Sequence, residues 1–114
     1  MKVKNDTFDL LSLLKVFDVN FVSDADSLKL QGLDGNTPGD VAKAVQVLLL
    51  PEFHTYTKVA RDRLTNLLRE RIADPTEDFE SLFERVQLAF DNEVIDRRNF
   101  MASLLTEIAA ENLR

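Results

Sequence analysis

From Val59 to Ile72 the apolar residues Val59, Ala60, Leu64, Leu67, Leu68 and Ile72 recur at intervals of three and four, while Arg61, Arg63, Arg69 and Arg71 fill the positions between them. That period belongs to one face of an α-helix and cannot be laid on a half-buried strand, whose side chains alternate every second residue. The same spacing returns after Asp74 and Pro75, which read as a cap followed by a first-turn proline. It predicts a further helix with Phe79, Leu82, Phe83, Val86 and Phe90 inward, and Glu77 and Asp78 favoured near its positive end. A last helix, from about Arg97 to Leu113, presents Phe100, Leu104, Leu105 and Ile108.

The first part of the chain is less regular. A helix over about Thr7 to Phe17 is expected, with Asn5 or Asp6 to cap it and a broad apolar face containing Phe8, Leu11 and Leu14. Val19, Phe21 and Val22 favour extended backbone, but five residues without a partner make no sheet, so Asp18 to Val22 reads as a loop that packs. Ser23 opens a helix of one or two turns to Leu30. All three glycines of the chain fall between Gly32 and Gly39, together with Asp34, Asn36 and Pro38, which marks a linker. Thr37, through its hydroxyl, and Pro38 then start a helix carrying Val41, Ala44, Val45, Leu48 and Leu49 inward, with Pro51 restricting its continuation.

These elements amount to an all-α fold: a compact orthogonal or mixed bundle of about five helices, with the last three as scaffold. At 114 residues the chain suits a single all-helical domain, residues 1–114, divided into an irregular third, 1–36, and a more regular helical region, 37–114. Hydrophobic residues at 45% and charged residues at 30% are a globular balance.

Charge and composition then exclude several functions. Fourteen basic against twenty acidic residues give a net charge of -6, a sign that opposes attraction to nucleic-acid phosphates and anionic membranes. Residues 74–96 are the most polarised stretch, with eight carboxylates and Arg85 as their only cation. Cysteine is absent, which removes disulfides, thiolate metal sites and a cysteine nucleophile, and agrees with a reducing compartment; the localisation expected is cytoplasmic. No secretory signal is expected at the amino terminus. The longest apolar run, Val47 to Pro51, is far short of the roughly 20 residues that a membrane span requires.

His54 is the only histidine, so no multi-histidine metal site can form. Asp91, Glu93 and Asp96 lack the turn glycine and ligand spacing of a calcium loop; Asp96 reads instead as the cap of the last helix. The glycine spacing is not that of a phosphate loop. No catalytic residue, metal ligand or cofactor is expected, and the chain reads as non-enzymatic.

The function expected is a small intracellular protein-protein interaction module that regulates, inhibits or scaffolds a macromolecular partner. Its interface candidates are Phe53, His54 and Tyr56, with the two aromatic rings as anchors, together with Arg61 and Arg69 on the basic face and Asp78, Glu80 and Glu84 on the acidic one. Arginine suits such contacts because its planar fork bonds carboxylates at two points, and the acidic fifth helix is one such partner within the chain. Arg97 and Arg98 oppose the dipole at the start of the last helix, a conflict that a nearby carboxylate such as Glu93 would relieve. Two alternatives remain open: a structural homo-oligomer in which the first helix completes a partner's bundle, and an acidic mimic of nucleic acid.

Overall fold

The computed structural model describes residues 9–112. Helix α1 occupies 9–14 and tightens into a 3₁₀ turn at Lys15–Phe17. It is followed by α2 (Asp24–Leu30), α3 (Pro38–Ala44), a π-helical stretch (Val45–Leu49), α4 (Leu50–Phe53), α5 (Lys58–Ala73), α6 (Glu80–Phe83) and α7 (Arg97–Asn112). Among the described residues the only β pairing is a single antiparallel bridge between Asp18 and Leu88, so the fold is an all-α bundle. The proposed caps at Asn5 or Asp6, and Phe8, lie outside the described residues.

Local chemistry sets most of the helix starts. The Ser23 hydroxyl accepts the Asp26 amide at 3.1 Å, the Thr57 hydroxyl accepts that of Ala60 at 3.1 Å, and Asp96 Oδ1 accepts that of Asn99 at 2.9 Å. Thr37 differs from expectation. Its side chain makes no cap bond and donates instead to Asp34 Oδ2 at 3.3 Å. That leaves Pro38 as the start signal.

Pro51 does not end its helix. In a regular α turn its ring would meet the carbonyl of residue 47. Here the turn before it widens to a π register, with the Leu50 amide donating to the Val45 carbonyl, and the chain stays helical to Phe53.

α5 and α7 pack on each other, and α3 lies against α7. Leu64 and Leu68 of α5 meet Phe100, Met101, Leu104 and Ile108 of α7 in the buried core, which also takes Leu10, Leu13 and Leu14 of α1. The radius of gyration is 13.2 Å. A compact chain of about 100 residues has roughly the same radius, about 13 Å. A line of rings crosses the interior: Phe17 to Phe90 at 5.5 Å, Phe90 to Phe100 at 5.7 Å, and Phe100 to Phe83 at 5.9 Å.

The helix expected from Pro75 to Phe90 is reduced to the single turn of α6. Asp74 caps no helix; its carboxylate accepts both the amide and the hydroxyl of Thr76, closing a local turn. Phe79, fully buried, then takes a left-handed conformation at φ 59°. A right-handed helix cannot pass through that conformation. Beyond α6, residues 84–96 form a strap whose backbone groups have partners elsewhere. Ala89 donates to the Phe17 carbonyl, Val19 donates to that of Gln87, and Asp91 donates to that of Leu33. The side chains nevertheless face as the periodicity requires, with Phe79, Leu82 and Phe90 buried and Phe83 and Val86 packed on the core.

The strap is also sewn to the glycine-rich turn. Gly32, at φ 85°, donates its amide to Asp91 Oδ2 at 2.8 Å. Gly35 sits so close that a Cβ there would lie 2.8 Å from Val94 Cγ2, so only glycine fits without displacement. Asn36 closes the seam, donating to the Glu93 carbonyl at 2.8 Å and accepting the Ile95 amide at 2.7 Å.

Two turn carboxylates make this architecture acid-sensitive. The Asn36 amide chiefly holds the Asp34 carboxyl below its ordinary 3.8, against a smaller opposing effect of burial. The Thr76 hydroxyl and amide do the same for Asp74. A carboxyl with a lowered folded pKa contributes stability that is complete above its unfolded value and is lost as pH falls through the folded one. The midpoint of urea unfolding should therefore hold from about pH 7 to 5 on this account and drop below about pH 4. Asp34→Asn should flatten that drop. An unchanged acid limb in the variant would count against the assignment.

Candidate protein-docking surface

The sequence candidates fall in three separate places. At the α4–α5 junction, Phe53 is 0% exposed and stacks edge-on to Tyr56 with ring centres 6.0 Å apart. Phe53 is therefore a core residue and cannot serve as a presented anchor; the continuous helix through Pro51 turns its ring inward. Tyr56 is half-buried, and burial pushes its phenol above the ordinary range while neighbouring Lys15 acts the other way. His54 is exposed and reaches across to α7, its Nε2 lying 2.7 Å from Glu111 Oε2.

The basic face of α5 is largely engaged within the chain. Lys58 pairs with Asp62 at 2.8 Å and Arg63 with Asp9 at 3.0 Å, while Arg69 donates to Asn66 Oδ1 at 2.9 Å. Arg61 is half-buried beside His54, Lys58 and Asn112. Only Arg71 reaches the acidic stretch through a described ion pair, bonding Glu77 at 2.6 Å where both side chains are mostly buried. Asp78, Glu80 and Glu84 are exposed, Asp78 Oδ1 accepting the Glu80 amide at 2.9 Å.

Arg97 and Arg98 resolve their conflict with the helix dipole differently from expectation. Arg98 donates to the carbonyls of Ile72, Asp74 and Glu77, so its charge meets the negative end of α5 rather than Glu93. Arg97 lies over the Phe83 ring at 5.6 Å, where the negative face of the ring attracts its charge.

A further surface was not among the sequence candidates, although Tyr56 adjoins it. Phe21, 58% exposed, and Val47, 43% exposed, flank a groove of about 350 Å³ whose floor and walls include Val16, Val22, Leu48 and Pro51. Its rim carries two pairs of opposite charge, Lys29 with Asp26 and Lys15 with Glu52, each at 3.3 Å. Lys15 also stands over the Phe21 ring at 5.3 Å. At an exposed site such a contact favours this placement of the ring by roughly 0.5–1 kcal/mol. The wall formed by Val47 and Leu48 is the π-helical stretch that accommodates Pro51, a backbone form frequent at functional sites. Tyr56 adjoins the Lys15 and Glu52 end of the groove.

No match was found among protein-family models, curated proteins or solved structures. The surface is therefore read from its own chemistry. Among the described residues no three metal-ligating side chains converge, and no helix is long and apolar enough to cross a membrane. What is present is a small all-helical fold without a catalytic motif. The signal for the groove was in the sequence as the run Val19, Phe21 and Val22. Reading that run as packed was correct for Val22 in part and not for Phe21, because the tight turn after Asp18, where the Phe21 and Val22 amides both donate to the Asp18 carbonyl, leaves the ring outside.

Proposed function

We propose that the chain is a non-enzymatic, cytoplasmic protein-interaction module that seats an apolar side chain of a partner protein in the Phe21–Val47 groove. The observation that carries this reading is an exposed phenylalanine, with Lys15 over its ring, at the mouth of a groove walled by Val16, Val22, Leu48 and Pro51. Such an arrangement supplies an aromatic anchor at low entropic cost, with charges around it that orient rather than drive binding. The dispersion of chemistry-bearing groups supports the non-enzymatic part: His54 engages Glu111 at the surface, and there is no cysteine. The self-oligomer reading has less apolar surface to draw on, since Leu10, Leu13 and Leu14 of α1 are buried in the chain's own core while Leu11 is partly buried. The nucleic-acid mimic has lost its regular helical array of carboxylates, because 84–96 is not helical.

The test is site-specific photocrosslinking in source-cell lysate, with a benzophenone side chain at position 21 and, as control, at Val59, which is still more exposed. A protein crosslinked from position 21 and not from 59 is the expected product. With that partner purified, Phe21→Ser should weaken binding about tenfold or more while leaving the melting temperature within a few degrees. Equal labelling from both positions would overturn the groove as the docking surface.

A further inference from the structure

A second groove, on the strap side of the molecule, shares no lining residue with the first. It has a volume of about 390 Å³ and is walled by Phe83, Val86, Leu88, Phe90 and Val94. At Glu93, Val94 and Arg97 it opens into a wider cleft of about 740 Å³ bordered by Asp78, Ile95 and Asp96. Ile95 is 85% exposed, and the backbone leading into it is held: Asn36 bonds the Glu93 carbonyl and the Ile95 amide, on either side of Val94. An apolar side chain fixed in water between two carboxylates is a presented feature that the core does not explain.

Carboxylates outnumber cations around this groove, with Arg97 lining both clefts and Arg98 the wider one. Asp78, Glu80, Glu84, Asp91, Glu93 and Asp96 are all exposed, and no ion pair among the described residues engages them. The nearby cations are occupied: Arg97 over Phe83, Arg98 on three carbonyls, and Arg71 on Glu77, while Arg85 has contacts of its own. The first groove, by contrast, has a rim whose charges are already paired. Complementarity to a groove with several apolar side chains in its walls and a border richer in carboxylates than in cations favours an occupant with an apolar stripe and lysine or arginine beside it.

We propose that the groove between α6, the strap and the start of α7 docks a basic amphipathic segment of a partner protein. An apolar side chain of that segment packs against Phe83, Val86 and Val94, with Ile95 covered at the edge, and its cations face Glu93, Asp78 and Asp96. The ordered strap means that the protein side of the interface is formed before the partner arrives. A strap of this length without helix or strand is uncommon in a small fold unless it presents a surface.

The test uses the whole chain and three model peptides of about 18 residues, one with leucine at helical spacing and lysine elsewhere, one with the lysines replaced by glutamate, and one with the leucines replaced by serine. Binding is followed by amide chemical shifts and calorimetry. The leucine–lysine peptide should shift the amides of Val86, Val94 and Ile95 and bind at least about tenfold more tightly than either control, with affinity falling as salt is raised. Ile95→Ser and Glu93→Lys, both at exposed side chains, should each reduce that affinity severalfold while the circular dichroism melt is unchanged. Equal affinity for the serine–lysine peptide would mean bare charge attraction and would overturn the docking groove. So would shifts spread evenly over carboxylates elsewhere in the chain, such as Asp24 and Asp62. A mass in solution that doubles with concentration, abolished by Ile95→Ser, would assign the surface to a second copy and overturn the basic partner.

Discussion

Replacing Arg98 by alanine should cost about 3 kcal/mol of folding stability, and Arg98→Lys should recover less than half of it. The guanidinium donates to the carbonyls of Ile72, Asp74 and Glu77, which lie along the exit of α5 and the turn that follows. The last carbonyls of a helix have no partner within it, and a carbonyl left without one in a part-buried site costs roughly 1–3 kcal/mol. Arg98 satisfies several positions at once because its donors form a rigid planar fork; an ammonium is a single compact point and cannot span them. The ring of Phe79 lies 5.8 Å from the guanidinium, so truncation also exposes one side of a buried aromatic residue in a left-handed conformation. Urea unfolding of wild type, Arg98→Ala and Arg98→Lys measures the effect. Amide exchange should show the loss concentrated at residues 74–83, with the middle of α5 still protected. A uniform loss of protection, or a lysine variant as stable as wild type, would sink the staple and leave only a general charge effect.

The same staple shows where reading the sequence stops. α5 and α7 were legible because their order is local: the apolar spacing in both, and the Asp96 cap of α7, agree within one element, whereas the Thr57 cap of α5 is seen only in the structure. The segment after Pro75 had equally good spacing and a good start signal, yet it is helical only at Glu80–Phe83. What defeats the pattern comes from far along the chain. Phe17, Asp18 and Val19 bond the backbone of residues 87–89, and Leu33 and Asn36 take up groups on either side of Val94. A periodicity of three and four specifies which side chains are buried, and here it did so correctly for Phe79, Leu82 and Phe90. It does not specify how the backbone between them meets its hydrogen bonds. The candidate surfaces divide in the same way. Exposed carboxylates at Asp78, Glu80 and Glu84 were readable from composition, whereas the burial of Phe53 depends on the π turn before Pro51 and the exposure of Phe21 on a turn anchored at Asp18.

Phe100→Ala should be the most damaging single truncation, at about 4 kcal/mol. The ring is 1% exposed and stands where the two halves of the chain meet. Phe90 packs edge-on to it at 5.7 Å from the strap, Phe83 at 5.9 Å from α6, and Phe17 reaches it through Phe90 from the end of α1. Edge-on aromatic pairs contribute roughly 0.5–1.5 kcal/mol each beyond the area they bury. A fall of this size is a large part of the roughly 5–15 kcal/mol available to a chain of this length, and it should lower the melting temperature by about 15–25 °C. Phe100→Leu keeps much of the volume without the edge-on geometry and should lose about half as much. The ratio of the two variants is the informative measurement, since a packing defect alone would scale with volume. The strap adds a second readout. Its hydrogen bonds to Phe17 and Leu33 are not touched by the substitution. If the rings are what press it onto the core, amide exchange at Ala89 and Asp91 should accelerate in Phe100→Ala more than exchange in α2. Equal acceleration in both would show that the aromatic line is ordinary core. Selective loosening of the strap would show that the ring line holds the Val94–Ile95 face in position, which couples the interior of the bundle to the surface on which a basic partner docks.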